Sequence, residues 1–152
     1  MNVADLTGFY FLDTNIFVYS FDETAPHKQR LAQYLIQEAL RSQRGVISSQ
    51  VAQEFLNVAL HKFTQPMNVS DARIYFASVL NPLCQHFPSS AFYEHALHIQ
   101  ATTGYSLYDT LIVTAALEAG CETLLSEDMQ DGRVVNNLTI LNPFVHLSLP
   151  PA

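Results

Sequence analysis

Phe9-Tyr10-Phe11-Leu12-Asp13-Thr14-Asn15 sets an unbroken aromatic and aliphatic run directly before an acid and two more polar residues. An apolar run without polar alternation reads as a strand buried on both faces, the kind that parallel sheets contain. Asp13-Thr14-Asn15 ends it, and Ile16 to Tyr19 reads as a short helical turn. Outward from this stretch the chain alternates. Leu31, Tyr34, Leu35, Ala39 and Leu40 recur at helical spacing from His27 to about Gln43, with Gly45 as the expected helix stop. Val46-Ile47 is a second strand, and Ser48 or Ser49 opens a helix to about Phe63. Ser70 is the expected cap of the next helix, and Asn81-Pro82 its end. Leu83 to Phe87 is a third strand. Ser89 and Ser90 open a helix that Gly104 closes, and Ser106 opens one that Gly120 closes. Thr123-Leu124-Leu125 and Leu138 to Leu141 are further strands, and the proline-bearing tail from Pro143 reads as irregular. The alternation predicts an α/β fold with a central, mostly parallel sheet of roughly four to five short strands flanked by helices.

The chain has 152 residues, enough for one domain spanning residues 1–152. Apolar residues make up 49% and charged residues 14%, against about 25% charged in ordinary domains. That composition excludes disorder and a coiled coil, and it points to apolar surface covered by a second copy. No apolar run approaches the ~20 residues of a membrane span. Met1 to Gly8 lack the basic and apolar segments of a signal peptide. Cys84 and Cys121, far apart and without a CxxC pattern, read as reduced thiols, so a cytoplasmic location is expected. The six histidines form no ligand pattern. The net charge of −7 argues against a broad basic nucleic-acid surface, yet it also fits carboxylates gathered around a cation.

Four acids carry the chemistry. Asp13 and Asp128 each follow a buried strand, where ligands of open α/β sheets sit. Asp109 stands three residues after Ser106, at a helix start that faces the same rim. Glu54 lies on an apolar helix face with Val51, Phe55 and Val58. Each has an ordinary use as well: Asp13 as a cap or Asx-turn, Asp109 in a capping box, Glu54 at a stripe edge, Asp128 in a polar turn. Converged on one rim, they repel one another unless a cation joins them. Oxygen-only donors select a hard ion, Mg²⁺ or Mn²⁺, over zinc.

In order and spacing, Phe11-Leu12-Asp13-Thr14-Asn15, Gln53-Glu54-Phe55, Leu107-Tyr108-Asp109-Thr110-Leu111-Ile112 and Leu125-Ser126-Glu127-Asp128-Met129-Gln130-Asp131-Gly132 resemble the PIN-domain ribonucleases. Among these, the sequence is most similar to the VapC-type toxins of bacterial toxin–antitoxin pairs. The resemblance runs from about Tyr10 to Leu141. It implies a Mg²⁺- or Mn²⁺-dependent endoribonuclease in which Asp13, Glu54, Asp109 and Asp128 form the catalytic, metal-holding site. It places Asn15 as the polar residue after the first acid, with Ser126 or Asp131 assisting the metal. It also implies a homodimer and a small antitoxin whose tail blocks the acidic site.

Lys28, Arg30, Lys62 and Arg133 flank the acidic motifs and are the expected phosphate contacts. With so few cations, weak non-specific affinity and a modest salt slope are expected, and recognition of a single-stranded loop. Tyr19, Phe21 and Tyr108 could stack on bases, but core packing is the first expectation for all three. A dehalogenase-type phosphatase needs a second Asp where Asn15 stands and a later Lys, which no residue after Lys62 supplies; a receiver domain needs the same Lys and an acidic pair before Asp13, and the chain offers neither. The remaining alternatives are a PIN domain that binds RNA or protein without cutting, and a housekeeping RNA-processing nuclease.

Overall fold

Parallel pairing of three apolar strands builds the centre of the molecule, for which a computed structural model describes residues 1–151. β1 (Phe9–Leu12) lies between β2 (Gly45–Ser48) and β4 (Cys121–Leu125), and Tyr10, Phe11 and Leu12 are completely buried. Covering such side chains on both faces is worth about 1.5–3 kcal/mol each. β3 (Cys84–His86) pairs with β2, β6 (Leu138–Leu141) pairs with β4, and β5 (Val134–Val135) closes the far edge antiparallel to β6. The six-stranded order is β3-β2-β1-β4-β6-β5. From β1 the chain steps outward to β2 and β3; from β4 it steps the other way. The β1–β4 boundary is therefore a topological switch point, where the connections diverge and leave a crevice beyond the strands' carboxyl ends.

Among the described residues eight α-helices flank the sheet: α1 (Thr14–Tyr19), α2 (Pro26–Ser42), α3 (Ser49–His61), α4 (Val69–Tyr75), α5 (Asn81–Leu83), α6 (Ser90–Thr103), α7 (Leu107–Glu118) and α8 (Pro143–His146). Every residue of α7 from Thr110 to Ala116 is buried, as befits a helix apolar on all sides. Ser48, Ser89 and Ser106 are the N-caps that the sequence predicts. Among the described residues, no helix is long and apolar enough to cross a membrane.

Several local expectations are corrected. Asn68, not Ser70, caps α4, with its side chain accepting from the Asp71 amide at 2.7 Å. Asn81-Pro82 does not stop the helix. A wider turn over Phe76–Leu80 leads into α5, whose first turn tolerates Pro82 because the amide it lacks would have no helical partner there. The tail is not wholly irregular: Asn142 caps α8, with Pro143 following as the first helical residue. β5 has only two residues, too few to leave a periodic signal, so the sheet has one strand more than expected.

Gly45 does not end α2. Gln43 does, in the left-handed region at φ 60°. Gly45 instead lies within β2, where an added Cβ would fall 2.3 Å from the Ala39 Cβ. Glycine is required there because α2 lies directly on the strand. Gly45→Ala is expected to lower stability by about 1–3 kcal/mol by overpacking, read as a shift in the denaturant midpoint. An unchanged midpoint would contradict this close approach.

Candidate active site

Asp13 stands at the carboxyl end of β1, facing Ser126 at the end of β4. Its amide extends the ladder to the Leu125 carbonyl at 3.0 Å, fixing it over the switch point. One carboxylate oxygen caps α1 by accepting from the Thr14 amide at 2.7 Å, and the other accepts from the buried Ser126 hydroxyl at 2.8 Å. The two uses are compatible, so the ordinary capping role and a site role coincide. Burial pushes the Asp13 carboxyl up to about 6; the Ser126 and Thr14 hydrogen bonds oppose that shift, and the negative charges of Glu54 and Asp128 add to it.

Thr14 passes the connection on. Its hydroxyl donates to Glu54 Oε2 at 3.0 Å, and Gln50 Nε2 donates to Glu54 Oε1 at 2.6 Å. Gln50 and Glu54 stand one turn apart on α3, above the buried Val51 and Phe55. The same Gln50 nitrogen reaches the Tyr108 carbonyl at 3.3 Å, which brings the start of α7, and so Asp109, against α3. The Asp109 amide donates to Ser106 Oγ at 3.3 Å, while its carboxylate carries no hydrogen bond or ion pair among the described residues. Asp128 is exposed beyond β4 and accepts from the Asn15 amide side chain.

Glu54 and Asp128 therefore lie close enough to Asp13 for their charges to act on it, and the Gln50 bond to the Tyr108 carbonyl sets the start of α7 beside Glu54. Among the described residues, no three acidic, histidine or cysteine side chains already converge as a closed metal cage. What the rim does present is a set of oxygen donors, and oxygen donors select a hard ion. Mg²⁺ keeps several waters and takes one or two carboxylates directly, whereas zinc and calcium use fuller protein shells. An oxygen-only rim holding an acid forced partly neutral by burial and by its neighbours fits a hydrated hard cation.

Other expected site residues are otherwise engaged. Lys28 does not face a free groove: its ammonium lies 2.7 Å from Glu127 Oε2 and over the rings of Tyr19 (4.8 Å) and Phe144 (5.4 Å). Tyr19 donates to Glu127 Oε1 at 2.6 Å. Arg133 donates to the Thr103 carbonyl at 3.0 Å and stacks 4.6 Å from the Tyr105 ring centre. Asp131 ties down the C-terminal segment, accepting from the Asn142 amide at 2.8 Å and lying 2.6 Å from His146 Nε2; the backbone bond, then His146, holds its carboxyl below the usual range. Arg30 and Lys62 are exposed and unpaired among the described residues. Thr14, Gln50 and Glu127 were missed by the sequence reading. The i, i+4 spacing of Gln50 and Glu54 was the one signal that could have found Gln50.

A PIN domain family model matches residues 10–134 of the chain. No curated protein matches it. Among solved structures, the chain is similar to VapBC2 from Rickettsia felis bound to a DNA fragment from their promoter, at 22% identity and a TM-score of 0.57, covering 87% of this chain and 96% of that one.

The raised Asp13 pKa makes a signed prediction. The folded value of about 6 exceeds the ordinary 3.8, so the metal-free fold loses stability as pH rises from about 4 to 6 and has lost all of this contribution above that. The gap corresponds to about 2–3 kcal/mol. Asp13→Asn keeps the cap and is expected to stabilise the metal-free protein at pH 7 by up to about that amount, but not at pH 4. Denaturation of both proteins in EDTA checks it. Equal stability at pH 7 would mean that Asp13 is not desolvated.

Proposed function

The chain belongs to the PIN domain family, and on that premise we propose that it is a Mg²⁺- or Mn²⁺-dependent endoribonuclease, the toxin of a toxin–antitoxin pair. The observation that carries the reading is the acidic crevice at the β1–β4 switch point, where Asp13, Glu54 and Asp128 couple and only neutral donors stand beside them. Asp13, Glu54, Asp109 and Asp128 are the residues that would hold the ion, directly or through its waters. A bound divalent ion supplies Lewis-acid activation of water and neutralises charge at the phosphate.

The side chains divide the remaining work. Ser126 and the Thr14 amide keep the Asp13 carboxylate oriented. Thr14 and Gln50 do the same for Glu54, and Asn15 for Asp128. Asp109, whose carboxylate is unbonded, accepts the proton of the attacking water, a contribution of about 10²–10⁴ in rate. Water attacks phosphorus in line, the bond from phosphorus to the ribose 3′-oxygen breaks, and that oxygen takes a proton from solvent, giving a 5′-phosphate and a 3′-hydroxyl. Asp131 anchors the C-terminal segment through Asn142 and His146.

The partner proposal draws support from the Rickettsia structure, whose fold this chain shares and which is of VapBC2 bound to a DNA fragment from their promoter. A small antitoxin would cover the acidic crevice. A second copy of the chain would cover part of the exposed apolar surface, which includes Phe87, Tyr93 and Leu97. The free thiols Cys84 and Cys121 suit a reducing cytoplasm. The second reading is a PIN domain that binds RNA or protein through the same exposed surface without cutting.

Incubation with total cellular RNA and tRNA in Mg²⁺, in Mn²⁺ and in EDTA decides between them. Discrete cuts that need metal, reduced by at least about 10²-fold in Asp109→Asn, are the expected result. No cutting under any condition would leave the non-cleaving reading. Undiminished cutting by Asp109→Asn would remove Asp109 from the site.

A further inference from the structure

Tyr108 precedes Asp109 in the first turn of α7, and it is 69% exposed. The core packing expected of it is not found. Its ring meets no other aromatic ring and its hydroxyl has no hydrogen-bond partner among the described residues. Its backbone carbonyl accepts from the same Gln50 Nε2 group that donates to Glu54, so the residue stands beside the acidic crevice with its ring exposed. The other two candidate aromatics are committed elsewhere: Tyr19 lies edge-on to Phe144 at 5.0 Å, and Phe21 packs against Phe55, Phe63 and Tyr75.

The cations leave RNA few other handholds. Lys28 and Arg133 are engaged as described, Arg41 pairs with Glu38, and Arg44 donates to the Leu6 and Gly8 carbonyls. Arg30, Lys62 and Arg73 are those without a partner among the described residues, in a chain of net charge −7. A polyanion on such a surface needs a contact that does not depend on charge. Stacking of an unpaired base on an aromatic face is that contact, and it tolerates any sequence because every base has a π-face.

We propose that Tyr108 is a stacking platform for a base adjoining the scissile phosphate of single-stranded RNA, while the crevice beside it receives the phosphate. This rests on the ribonuclease reading above. It assigns the substrate class: an unpaired segment, since bases in a duplex are already stacked on one another. Binding then depends weakly on salt, because few phosphates are neutralised.

The chain contains no tryptophan, so Tyr108→Trp installs a single indole at the platform. Its fluorescence is titrated in EDTA with a mixed-sequence oligoribonucleotide, single-stranded or annealed to its complement. Saturable quenching by the single strand and not the duplex is expected, with the midpoint moving less than about tenfold between 50 and 200 mM salt. In Mg²⁺, Tyr108→Ala is expected to raise KM by about 5- to 150-fold with kcat nearly unchanged. Tyr108→Phe should restore the parent value, and Tyr108→Leu should not. Absent quenching overturns the proposal, as does an unchanged KM in Tyr108→Ala. A Tyr108→Ala protein that binds RNA normally but loses self-association overturns it too, making the face a protein contact. Quenching without cleavage by the parent protein would instead overturn the ribonuclease reading and leave the platform standing.

Discussion

β1 and β4 run side by side in parallel, and above that pairing the chain leaves in opposite directions, toward β2 from one strand and toward β6 from the other. The crevice so formed is the place where Asp13 and Ser126 meet at 2.8 Å. Everything else at the rim is arranged from this contact. Thr14 follows Asp13 and holds Glu54; Gln50 holds Glu54 and the start of α7; Asn15 reaches Asp128. Loss of the β1–β4 register would separate all of these groups at once. The large side chains buried along β1 therefore position the site as well as stabilise the fold.

The donors around the acids are all neutral: two hydroxyls, two side-chain amides and a backbone amide. Among the described residues no arginine or lysine is bonded to these acids, and Lys28 is bound to Glu127, next in sequence to Asp128. The distinction matters. A guanidinium among these carboxylates would balance their charge and compete with a metal ion, whereas neutral donors orient the oxygens and leave the negative charge uncompensated. Burial is the main cause of the elevated Asp13 pKa, and the charges of Glu54 and Asp128 add to it. Lys28 acts one step away, where with Tyr19 and Phe144 it holds the segment that presents Asp128.

The strands and the four acids were legible because each breaks its surroundings sharply. An apolar run ends at Asp13, another ends before Ser126, and Glu54 interrupts an apolar helix face. Serine caps before α3, α6 and α7 were equally plain. The failures have local physical causes. Ser70 and Asn68 are equally good cap residues two positions apart, and only the hydrogen bond to Asp71 distinguishes them. Gly45 looked like a helix stop because its real constraint, the Ala39 side chain above the strand, is a tertiary contact. Lys28 and Arg133 show charge in a sequence but not the partner that uses it. Tyr108 sits at the head of a helix buried from Thr110 to Ala116, so pattern alone placed it in the core.

The central claim is that the β1–β4 crevice is the cation site. Paramagnetic broadening by Mn²⁺, followed in the amide NMR spectrum of the full chain, tests it most directly. Loss of signal first at Thr14, Asn15, Asp109 and Ser126, reversed by excess Mg²⁺, is the expected result. Broadening centred instead on Asp131 and His146, or on Glu118 with His86 and His95, would contradict it. So would a spectrum that Mn²⁺ leaves unchanged.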